Sequence, residues 1–76
     1  MNDEDFRIIV GRKLKELRLA KGYSQLTLNL KMKVAIGGQS LSQYENGSHL
    51  PTLAKFKKVC DALDITMEEF FRQINL

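Results

Sequence analysis

A single cysteine, Cys60, stands in the sequence, so no disulfide can form within the chain. One histidine, His49, leaves no cluster that could hold zinc, and nothing else in the sequence asks for a metal or a cofactor. No apolar run is long enough to cross a membrane. The opening residues include Asp3, Glu4 and Asp5, which do not resemble a signal peptide. A reducing, cytoplasmic location is the expectation from these shortages. The only proline is Pro51, so little interrupts helices before it. With 76 residues the chain reads as one domain, residues 1–76, around one modest core. A domain so small, without staples, depends on tight helix packing or on oligomerisation.

Acid is also scarce in the middle of the chain. Between Phe6 and Lys58 there are eleven Lys/Arg against two acids, Glu16 and Glu45, a balance of +9. The other acids lie at the two ends. A basic middle between acidic flanks fits a face for a polyanion, and equally fits solvated lysines on the backs of helices.

From Asp5 to Lys21, apolar residues recur at helical spacing through Phe6, Ile9, Val10, Leu14, Leu17 and Ala20. Asn2 is placed to cap this helix, and Gly22 sits where a helix end favours positive φ. Ser24 then caps a second helix from Gln25 to about Lys33. Here Leu26, Leu28, Leu30, Met32, Val34 and Ile36 alternate with their neighbours at a period of two, as in a strand. No second strand pattern exists to pair with it, and Leu, Lys and Met favour helix, so the expectation is helix, ending before a turn through Gly37 and Gly38. A third helix spans roughly Gln39 to Asn46, closed by Gly47. A fourth begins at Pro51 and Thr52, with Leu53, Phe56, Val59, Cys60 and Leu63 as its buried stripe. Thr66 and Glu69 form a capping box for a fifth, with Ile65 and Phe70 to staple its entry.

The third helix is the unusual one. At 100° per residue, Leu41, Tyr44 and Glu45 share one side, while Gln39, Gln43 and Asn46 share the other, with Ser42 at its margin. An amide carries both donor and acceptor, and Gln can bond adenine N6 and N7 in the major groove of DNA. A plain solvated face would show the same pattern.

The segments "VGRKLKELRLAKGYSQ", "LSQYENGSHLPTLAKF" and "VCDALDITMEEFF" resemble the helix-turn-helix family of the lambdoid phage repressors and Cro proteins, the XRE-like regulators. The likeness runs from about Val10 to Phe71. It implies an all-α, compact five-helix fold of the lambda-repressor type, with helices 2 and 3 as the DNA-binding unit. It implies base reading by Gln39 and Gln43. It places Ser24, Gln25, Ser40 and Asn46 at the DNA backbone, and makes Arg18 and Glu45 a structural ion pair joining the first helix to the third. Departures fall in one region. Asn29 and Lys33 stand where the family has a small residue and a glycine, and the chain is two residues longer between Met32 and Gly38. That departure is expected to leave Leu26 or Leu30 exposed.

The resemblance therefore implies a sequence-specific DNA-binding transcriptional regulator, a repressor that binds a palindromic operator as a homodimer through the helix around Gln39–Asn46. Its partner is double-stranded DNA. The alternative is a protein-interaction module of the same fold, an antitoxin or regulatory subunit with a protein partner and secondary DNA contact. An enzyme is not expected, since His49 has no nucleophile partner or acid pair nearby.

Overall fold

Five helices follow one another along the chain: α1 (Asp3–Ala20), α2 (Gln25–Lys31), α3 (Gly38–Glu45), α4 (Leu53–Ala62) and α5 (Met67–Gln73). The computed structural model describes residues 1–32 and 38–75, with the backbone alone at 38 and 39. Among the described residues there is no strand, and no helix is long and apolar enough to cross a membrane.

Polar side chains written into the sequence set four of the helix starts. Asn2 accepts from Asp5 N at 2.8 Å, Ser24 from Thr27 N at 3.0 Å, Thr52 from Lys55 N at 3.2 Å and Thr66 from Glu69 N at 3.0 Å. Each satisfies a backbone donor that the helix itself cannot, and such a cap contributes about 1 kcal/mol. The Thr66 box forms by half: the Glu69 carboxylate pairs with Arg72 and accepts from Gln73 Nε2 instead of reaching back. Gly22 ends the first helical segment at φ +75°.

Two boundaries differ from the sequence reading. α2 stops at Lys31, because Met32 turns to extended backbone at ψ 123° and buries its side chain. Lys33 and Gly37 lie outside the described residues. Gly38, expected in a turn, is the first residue of α3.

The core is built from one face of every helix: Val10 and Leu14, Leu28 and Met32, Leu41 and Tyr44, Phe56, Val59, Cys60 and Leu63, and Phe70. Phe56 and Phe70 meet edge to face at 4.8 Å, and Phe71 leans on both. That geometry suits ring quadrupoles and ties α4 to α5. Leu53 does not join the stripe assigned to it. It is 72% exposed, because in the first turn of α4 it lies beyond the edge of the core that Phe56 and Val59 fill.

Candidate nucleic-acid interface

α3 is held from one side and open on the other. Leu41 and Tyr44 are buried, whereas Ser42, Gln43 and Asn46 are exposed. Its most extensive contact is with α1, not with its neighbour α2. Gly11 permits that contact. A Cβ there would stand 2.2 Å from the Tyr44 carbonyl oxygen and 2.7 Å from that of Glu45, so no larger residue fits without moving the backbone. Further along, the Arg7 Nε–H donates to the Gly47 carbonyl at 3.1 Å. Gly47, at φ +82°, lies against Ile8 and turns the chain away after α3.

The strongest tie is ionic. Arg18 donates from Nε to Glu45 Oε2 at 2.6 Å and from Nη2 to Oε1 at 2.9 Å. Its Nη1 donates to the Tyr23 carbonyl at 2.7 Å, which fixes the turn between α1 and α2. Arg18 is 6% exposed and Glu45 8%. The hydrogen bond to Glu45 raises the Arg18 pKa, against the effect of burial, so the guanidinium stays charged. Gln25 completes the cluster, its Nε2 donating to Glu45 Oε1 at 3.1 Å. One carboxylate thus joins α1, α2 and α3.

The expected site residues fall into groups. Arg18, Gln25 and Glu45 are brought together. Ser24 is engaged as a cap and also donates to Thr27 Oγ1 at 2.9 Å. Gln25 lies beside it at the start of α2. An amide nitrogen carries two protons, so Gln25 can bond Glu45 and still offer one outward. Gln43 is exposed, and among the described residues no hydrogen bond ties its side chain. Asn46 is exposed at the end of α3. Its Oδ1 accepts from Ser48 N at 2.9 Å and from the Ser48 hydroxyl, which leaves the amide NH2 facing outward as a donor. Ser40 is half-buried, and the side chain of Gln39 lies outside the described residues.

Sequence reasoning passed over the link between Gln25 and Glu45. It also passed over a groove of about 620 Å³ between α1 and the end of α3, where Arg12 and Lys15 stand beside Asn46. The available signal was two exposed cations three apart on one face of α1. The charge segregation read from the sequence is weaker in space. Lys21 pairs with Asp64 and Lys57 with Asp61, so part of the acidic flank folds back onto the basic middle.

A helix-turn-helix family profile, HTH_3, matches residues 14–70. The chain is similar to an uncharacterised HTH-type transcriptional regulator of Bacillus subtilis, YgzD, with 37% identity over 59 residues, covering 78% of this chain and 86% of that protein. Its fold is similar to the crystal structure of an HTH_3 family transcriptional regulator from Vibrio cholerae, with a TM-score of 0.83 and 26% identity. That likeness covers 95% of this chain and 39% of the solved one.

Proposed function

The chain belongs to the helix-turn-helix family of DNA-binding transcriptional regulators, and on that premise we propose that it is a repressor that binds a palindromic operator as a homodimer. Residues 1–76 act as one domain, in the cytoplasm, on double-stranded DNA. α3 enters the major groove, where Gln43 and Gln39 read base edges. Ser24, Gln25, Ser40 and Asn46 contact the sugar-phosphate backbone and set the register, with Arg12 and Lys15 adding positive charge beside Asn46.

The observation that carries this reading is the division of α3. Its inner side is locked by Leu41, Tyr44 and the Arg18–Glu45–Gln25 cluster, while Gln43 is exposed, with no hydrogen bond to its side chain among the described residues. A rigid element presenting unengaged donor–acceptor groups is what base reading requires, because misplacing the helix would misalign every contact.

Selection from a randomised duplex pool, followed by sequencing, tests the proposal. An enriched palindrome with half-sites about one turn apart is the expected result. Absence of enrichment would count against sequence reading. A second reading has one specific observation in its favour: Leu26 and Leu30 on α2 are 68% and 76% exposed, a pair of apolar side chains suited to a protein partner. Unselective DNA binding beside tight capture of one protein would favour that reading.

A further inference from the structure

The turn that closes α3 is built on the side chain of Asn46. Ser48 donates to Asn46 Oδ1 twice, from its backbone N–H at 2.9 Å and from its hydroxyl. A backbone N–H can only donate, so the atom it faces is the amide oxygen, and the NH2 lies on the other side. Among the described residues no hydrogen bond engages that NH2. The Ser48 N–H is shared, since it also donates to the Gln43 carbonyl at 3.1 Å. The hydroxyl is 3.5 Å from that carbonyl and closer to Oδ1, so it is the less divided donor. The turn is fastened to α1 as well, through Arg7 and Ile8 against Gly47.

Arg12 and Lys15 of the same helix line the groove of about 620 Å³ that Asn46 also lines. Both cations are exposed and have no ion pair among the described residues. The two acids of that lining are engaged elsewhere, Glu16 with Lys13 at 3.1 Å and Glu45 with Arg18 at 2.6 Å. The groove therefore offers an amide donor and two positive charges with no unpaired carboxylate, which suits an oxyanion.

We propose that Ser48 is a positioning residue for the DNA backbone: by holding Oδ1 it keeps the Asn46 NH2 turned to one phosphate of the duplex, which Arg12 and Lys15 help to seat. An amide turned by half a rotation would set its oxygen against the phosphate, acceptor against acceptor. The inference rests on the proposed DNA reading and adds to it a residue that acts through Asn46 and touches no DNA itself.

Binding to a duplex of unselected sequence at low salt tests it, because a backbone contact does not depend on sequence. Ser48→Ala is expected to weaken binding by about fivefold, the scale of one hydrogen bond. Ser48→Thr, which keeps the hydroxyl, should bind as wild type does. Asn46→Ala should weaken binding by about tenfold, and adding Ser48→Ala to it should change nothing further. Asn46→Asp keeps an acceptor for Ser48 but sets a second oxygen where the NH2 stood, so it should bind more weakly than Asn46→Ala. Both positions are exposed, and thermal denaturation should show every variant folded. Losses that add in the double variant, a Ser48→Ala chain that binds like wild type, or Asn46→Asp binding as tightly as Asn46→Ala would each overturn the inference while the DNA reading stands. A wild-type chain that does not bind the duplex would overturn both.

Discussion

Arg18 and Glu45, 27 positions apart in sequence, form a two-point ion pair that is almost sealed from solvent. Neither partner can leave alone without stranding a buried charge. Arg18→Ala should lower stability by about 3 kcal/mol, and a double-mutant cycle with Glu45→Ala should show strong coupling. Additive losses in urea denaturation would mean that the pair does not hold α3 to α1.

Gly11→Ala should destabilise the protein even though alanine is about 1 kcal/mol better than glycine inside a helix. The added methyl has backbone carbonyls at its back, which cannot move as a side-chain tip can. Strain of about 1–3 kcal/mol on top of the propensity gain is the expected scale. Thermal denaturation decides the sign, and a raised melting temperature would show that α1 and α3 do not approach so closely.

Gln43→Ala should lose about 1–3 kcal/mol of discrimination at one position in each half-site, while fold and unselective binding survive. Asn46→Ala should weaken all sequences about equally. Single-base operator variants titrated against both proteins separate the two roles. Uniform weakening by Gln43→Ala would make α3 a positioning element and not a reader.

Affinity for DNA should fall steeply as salt rises, because each neutralised phosphate releases counterions. Arg12→Ala should reduce the magnitude of the log–log slope by about one if this side chain meets a phosphate beside Asn46. An unchanged slope would place Arg12 off the backbone.

Burial, and to a lesser extent Asp61, push the Cys60 thiol up to about 11. A group whose folded pKa exceeds its unfolded value stabilises the protein below the unfolded value, and that contribution is lost as pH rises through the folded one. Stability should therefore begin to fall at about pH 9, the ordinary thiol value, and continue to fall towards 11. Cys60→Ala should lack that share of the decline. Parallel pH curves for the two proteins in urea denaturation would show that Cys60 does not titrate in the folded state's disfavour.

The parts of this fold that were legible in sequence are those fixed by near neighbours. Asn2, Ser24, Thr52 and Thr66 bond amides three residues on, so a local pattern is sufficient to place them. α2 was harder. Its leucines alternate as in a strand, and one of the three, Leu28, is buried while Leu26 and Leu30 face solvent. A period-two pattern arises there because the helix exposes apolar residues, which periodicity alone cannot distinguish from a two-faced strand. Leu53 was misplaced for a related reason: helical spacing gives direction around the axis but not where the core ends. Arg18 and Glu45 came into view through family resemblance, since no local rule joins residues so distant. The part played by Gln25 depends on three helices meeting, and only the folded chain displays that.

The lock on α3 has a consequence for how such a protein could change. Leu41, Tyr44 and Glu45 carry the attachments, and Ser42 and Gln43 carry none among the described side-chain bonds. Substitutions at these outward positions would therefore meet little resistance from the fold. New target sequences would be reachable one residue at a time, with the scaffold left intact at every step.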